Sequence, residues 1–177
     1  MENKQKTNNI FKGSVRFGGS GFFYAEIWST FKQKMTQRSD LISERFPLKF
    51  NCAQTVFSLF ASDLGMDEKT ALKIASGFGG GMACAETCGA VTGSYMVIGM
   101  KHGHWSPDAK EKAITKSKIV KFNELFRAEH GSLICKELTG FDISTPEGAN
   151  AALNAGVFQN KCPRLIKTAC NILENEF

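Results

Sequence analysis

The sequence predicts an all-α protein: a compact multi-helix domain with a glycine-rich turn, preceded by a basic N-terminal arm and helix. Three observations carry this expectation. Apolar residues recur at helical spacing in segment after segment, no stretch alternates polar and apolar residues as a half-buried strand does, and capping residues or glycines punctuate the ends of the periodic segments. The chain has 177 residues, enough for one domain with a core of its own. Its six cysteines are about 3 per cent of residues, well below the roughly 8 to 10 per cent of disulfide scaffolds.

Residues 1 to 39 read as one unit and 40 to 177 as another. The first twenty are polar and run into Gly18-Gly19-Ser20-Gly21, as in a flexible arm. Phe22, Phe23, Ile27, Trp28 and Phe31 then recur near helical spacing, an aromatic stripe suited to packing. From Asn51 to Leu64, with Asn51 as cap, Cys52, Val56, Phe57, Phe60 and Leu64 fall on one side of a helix that Gly65 stops. Asp67 opens a short helix ending at Gly77. After the glycine turn, Cys88 to Lys101 reads as a buried central helix, whose glycines permit close packing against a neighbour. Ser106-Pro107 is a helix start, Ser at the cap and Pro at the first position, for a helix reaching about His130 and ended by Gly131. Ser132 to Leu138 gives a short helix carrying Cys135, a loop passes Asp142 and Pro146, and Glu147 to Ala155 is again helical. The last helix opens at Cys162-Pro163 and places Leu165, Ile166, Ala169, Cys170 and Leu173 at helical spacing.

The net charge of +5 arises in residues 1 to 49, which hold nine Lys or Arg against four Asp or Glu, whereas the rest hold thirteen of each. These basic residues, Arg38 among them, are scattered and match no nucleic-acid motif, so a solvated tail is expected and no nucleic-acid partner. The longest uncharged apolar run, Ala90 to Met100, falls far short of the ~20 residues that span a bilayer. No export signal is legible, and a reducing cytoplasm is the expected compartment, where several cysteines bind metal or do redox work more often than they staple a fold.

Cys84 and Cys88 lie four apart beside the Gly77-Phe78-Gly79-Gly80-Gly81 run, and on a helix both sulfurs would share a face. Glycines at Gly80, Gly81 and Gly89 let backbone N–H groups approach a bulky inorganic group, although a plain turn with two small buried thiols fits this stretch as well. No paired CxxC zinc pattern, no CxxCH haem attachment and no HExxH or nucleophile elbow is present. The glycine run lacks the spacing of a nucleotide loop. Cys52, Cys88, Cys135 and Cys162 would each come from a different helix end, and thiolates without histidine suit an iron-sulfur cluster or zinc. His102 and His104 read as surface residues in a turn, and His130 as a partner of its helix C-terminus.

Asn51-Cys52-Ala53-Gln54, the GFGGG stretch, Cys88-Gly89-Ala90-Val91-Thr92-Gly93, Cys135 and the Cys162-Pro163 helix resemble the redox-active proteins named for their C, GCAxxG, C, C pattern, here with Cys88 preceding Gly89. The resemblance covers roughly residues 40 to 175 and extends to domains of split-Soret cytochromes. It implies an iron-sulfur cluster, 2Fe-2S or 4Fe-4S, and no haem. Carried over residue by residue, the signature cysteines are Cys52, Cys88, Cys135 and Cys162. Cys84 stands as a fifth thiol of open role, and Cys170 as a helix-face hydrophobe. The expected function is electron transfer or redox sensing through that cluster. Metal-free thiol-disulfide chemistry at Cys84 and Cys88, or a structural zinc held by the four cysteines, are the alternatives, with zinc ranked below the cluster. Expected partners are a redox protein or an oxidoreductase or transporter complex, with a homodimer also admitted.

Overall fold

The computed structural model describes Ser29, Thr30, Arg38, Asp40, Leu41, Ile42, Glu44 and residues 49 to 177. The chain divides into two compact units, Met1–Gln33 and Lys34–Phe177. The flexible arm and most of the aromatic helix expected at Phe22 to Phe31 lie outside the described residues. Among those described the fold is all-α, with no strand and one isolated antiparallel bridge between Thr87 and Ile134. None of its helices is long and apolar enough to cross a membrane.

Helix α1 (Cys52–Ala61) starts where the sequence places it, because Asn51 and Gln54 form a capping box: the Asn51 side chain accepts from Gln54 N and the Gln54 side chain accepts from Asn51 N. A short 3₁₀ turn, Ser62–Leu64, extends it to left-handed Gly65. Asp67 caps α2 (Glu68–Ala75), which passes into a second 3₁₀ stretch, Ser76–Gly81, rather than continuing to Gly77. Helix α3 (Gly89–His102) follows, capped by Cys88.

Helix α4 (Ala109–His130) begins later than expected. Asp108, not Ser106, is its cap, accepting from Lys110 N and Glu111 N, while the Ser106 hydroxyl donates to the Glu111 carboxylate. A carboxylate competes better than a hydroxyl for free N–H groups at a positive helix end. Gly131 closes α4 in the left-handed region. Helix α5 (Cys135–Thr139) starts at Cys135 and not at Ser132, whose hydroxyl instead accepts from Ile134 N in a turn. Thr145 caps α6 (Pro146–Asn154), so Pro146 belongs to the helix and not to the loop before it. One turn, α7 (Val157–Asn160), was not expected, being too short to show a period. Helix α8 (Cys162–Glu176) completes the domain.

The core is built on α3, which is apolar or small over most of its surface and packs against α1, α4 and α8. Phe122 and Phe126, both fully buried on α4, stack at 5.8 Å. Two glycines set the distance between α1 and α3. A Cβ on Gly93 would lie 2.9 Å from the Ala53 carbonyl oxygen and 3.0 Å from Val56 Cβ, and one on Gly89 would lie 3.0 Å from both Ala53 N and Cys52 Cβ. The helices therefore touch backbone to backbone at their N-terminal ends.

Arg38, which the sequence reading assigns to the basic arm, is bound to the helical domain. Its guanidinium meets the Asp63 and Glu174 carboxylates, donates to the Leu59 carbonyl at 3.4 Å and lies 4.2 Å from the centroid of the Phe60 ring. The Glu174 side chain is nearly buried, so the charge is compensated where water is scarce. Leu41 and Ile42, on the same helical stretch, pack onto the core.

Two glycines one helix should respond oppositely to substitution. Gly93→Val should lower the stability of the domain by about 2 kcal/mol or more through overpacking against α1. Gly99→Ala, where the added Cβ meets nothing within 4 Å, should raise it by roughly 0.5–1 kcal/mol through backbone entropy. Urea titration monitored by circular dichroism checks both.

Candidate functional site

Four of the six cysteines stand at the beginnings of four helices. Cys52 is the first residue of α1, Cys88 is the cap of α3, Cys135 the first residue of α5 and Cys162 the first of α8. All four line one cavity of about 710 Å³. Cys88 is 2% exposed and Cys135 and Cys162 are each 5% exposed, so these three thiols are shielded from bulk solvent.

Each thiol arrives by a different local device. The capping box fixes the start of α1, and the close approach at Gly89 sets Cys52 Cβ against α3. Cys88 and Cys135 are brought together by a backbone strap: Cys88 N donates to Leu133 O at 2.8 Å, Cys135 N to Glu86 O at 2.5 Å and Lys136 N to Ala85 O at 3.0 Å. Cys162 is set by the α7–α8 junction, where Lys161 ends one helix and precedes the next while its ammonium donates to the Thr139 carbonyl at 3.2 Å. That bond ties the start of α8 to the end of α5.

The thiols also sense one another. The Cys52 thiol donates to the Cys162 sulfur, which raises Cys52 and lowers Cys162; burial further raises Cys52, and Lys161 further lowers Cys162. Burial pushes Cys88 up to about 11, with the N–H groups of Ala90 and Val91 pulling the other way. Cys135 is pushed up to about 12 by burial and then by Cys88 and Cys162. Repulsion among the four would-be thiolates means that the site ionises fully only against a positive charge.

The remaining expected residues separate. Gly80 lines the cavity. Gly81 lies behind it, buried in a left-handed conformation at φ +64°, its carbonyl accepting from Cys84 N and Glu86 N. A Cβ on Gly81 would lie 2.4 Å from Glu86 N, so this glycine shapes the turn. Cys84 is exposed and does not line the cavity. It sits between Ala83 and Ala85, both at positive φ, so Cys84 and Cys88 do not share a helical face. Cys170 is buried in the main core, away from the four. His104 is exposed, whereas His102 is half-buried, with its Nε2 lacking a hydrogen-bond partner among the described residues. Burial, then Lys118 and Lys101, lower its pKa. His130 does lie in the last turn of α4, its ring 4.8 Å from that of Phe126.

Sequence reasoning missed the rest of the cavity: Lys49 and Phe50 before α1, and Ile143, Leu153, Phe158 and Gln159 around α6 and α7. Proximity across the fold carries no periodic signal in the sequence. Phe158 and Gln159 lie on the helix too short to be read.

As arranged, no three or more His, Cys, Asp or Glu side chains among the described residues form a group that could hold a metal ion.

The fold and site define an all-α domain in which helix starts gather four cysteines around one cavity. Residues 50–176 match the family model described as "Putative redox-active protein (C_GCAxxG_C_C)", and the chain belongs to that family. Comparison with curated proteins and with solved structures found no match for the chain.

The buried core thiol Cys170 is pushed up to about 12, chiefly by burial and then by Glu174. Its folded pKa lies above its unfolded value, so the stability it contributes is present below about pH 8.5 and is lost as pH rises toward the folded value. Cys170→Ala should lower stability at neutral pH but flatten its decline between about pH 9 and 11. Urea midpoints across that range report the slope, and an unchanged slope would refute the assignment.

Proposed function

We propose that this protein is an iron-sulfur redox protein, an electron carrier or redox sensor, with the cluster held by Cys52, Cys88, Cys135 and Cys162. The observation that carries the reading is that these four thiols, with no carboxylate or imidazole among the described lining residues, share one cavity. When bound, such a cluster supplies one-electron oxidation and reduction through its iron. The chain's own residues provide the surroundings. Lys161 offsets negative charge at Cys162, and the N–H groups of Ala90 and Val91 do so at Cys88. Ile42, Phe50 and Leu165 add apolar walls beside the sulfurs. Fixed N–H dipoles and apolar cover are among the means by which a protein sets a cluster potential.

The metal-free alternative loses the premise from which it began, because Cys84 lies in a turn outside the cavity. A structural zinc held by the same four thiols is the second reading, and elemental analysis separates it from the cluster.

Anaerobic reconstitution of the full chain with iron and sulfide should give bound iron, acid-labile sulfide, visible absorption and an electron paramagnetic resonance signal in one redox state. Colourless protein that takes up neither element would overturn the reading, and stoichiometric zinc would replace it. Substituting any of the four cavity cysteines by serine should remove most of the bound iron. Cys84→Ser should retain it.

A further inference from the structure

We infer that the cavity is also a binding site for a small neutral aromatic molecule bearing a hydrogen-bond-accepting carbonyl, seated between the sulfurs and a rim formed by Lys49, Leu153 and Gln159. This deepens the cluster reading, on which it rests for the redox role of the guest though not for binding itself.

Size comes first. At about 710 Å³ the cavity lies within the roughly 300–1,000 Å³ of sites for organic ligands. It is also graded in depth. The Cys88, Cys135 and Cys162 sulfurs belong to residues no more than 5% exposed, whereas Leu153 is 53% exposed, so an opening leads from solvent toward the sulfurs. The walls between are flat or branched hydrocarbon: Phe50, Ile143, Phe158 and Leu165. Aromatic faces of this kind accommodate a ring by offset or edge contact.

Polar groups decide the chemistry of the guest. Asn51 and Thr139 are spent within the protein, Asn51 on Gln54 N and Ser76 O, and Thr139 on the Cys135 and Phe141 carbonyls. Lys49 and Gln159 line the cavity with no described hydrogen-bond partner and present donors. Lys49 is held there at φ 67°, a conformation that costs a non-glycine residue about 1 kcal/mol or more. With no Asp or Glu among the described lining residues, a cation meets only the like charge of Lys49, and a full charge of either sign would lose its hydration against the apolar walls. A neutral ring with a carbonyl acceptor satisfies all of these constraints, and a fully substituted quinone is the simplest example.

The test uses the full-length chain under anaerobic conditions with free reductant removed, first with its thiols reduced and no metal bound and then after reconstitution with iron and sulfide in the oxidised state. N-phenyl-1-naphthylamine, a neutral fluorescent aromatic, reports the cavity. Duroquinone, which has no free ring position for thiol addition, is the competitor. Durene, which lacks the carbonyls, and 2,4,6-trimethylbenzoate, which is anionic, are the comparisons. The expected result is one saturable probe site per chain, displaced more strongly by duroquinone than by either comparison compound. Leu153→Glu, at an exposed position on which folding does not depend, should weaken the probe about tenfold or more, as expected for a charge set against an apolar guest. Lys49→Gly, which keeps the backbone conformation, should weaken duroquinone about threefold to tenfold and leave the probe unchanged. Absence of saturable binding, indifference to Leu153→Glu, or displacement by durene equal to that by duroquinone would overturn the inference. Probe binding without iron uptake supports it while sinking the cluster; iron uptake without probe binding does the reverse.

Discussion

Where α3 passes α1, at Gly89 and Gly93, the two backbones are so close that one added carbon would meet Ala53, and the placement of the thiols follows from that contact. Cys52 begins one of these helices and Cys88 caps the other, so drawing the helix starts together draws the sulfurs together. A wider spacing would leave Cys52 facing a different neighbour. The same contact leaves α3 free to pack against α4 and α8, which brings the Cys162 helix into the same core.

Burial and helix-start dipoles act on the four sulfurs in opposite directions. Desolvation holds Cys88 and Cys135 protonated in the metal-free chain, while N–H groups and Lys161 favour charge at Cys88 and Cys162. A bound cation shifts this balance toward the thiolate, so metal uptake at these sulfurs releases protons. The apolar walls sharpen both effects by lowering the local dielectric.

Much of this was legible in the residues. Asn51, Asp67, Gly65 and Gly131 punctuate their helices as their chemistry requires, and the all-α class followed from periodicity. The start of α4 was misplaced because Ser106-Pro107 and Asp108 both offer a helix start, and only the N–H groups actually reached decide between them. That the four cysteines share a cavity could not be read from spacing, since the strap joining Cys88 to Cys135 is made of backbone groups that leave no side-chain signature. Cys84 was ambiguous for a related reason: its exposure depends on a left-handed turn through Met82 and Ala83, two residues that do not announce such a conformation.

The four helix starts are scattered along nearly the whole domain, with Cys52 near one end and Cys162 near the other. No nascent fragment that lacks α8 possesses the complete set. During synthesis the site comes into being only once α8 has emerged, so acquisition of any group bridging all four sulfurs waits on closure of the core and not on the folding of a local loop. A chain broken before α8 would expose the first three thiols on a surface meant to be interior, and the cell would meet it as a reactive fragment instead of an empty carrier.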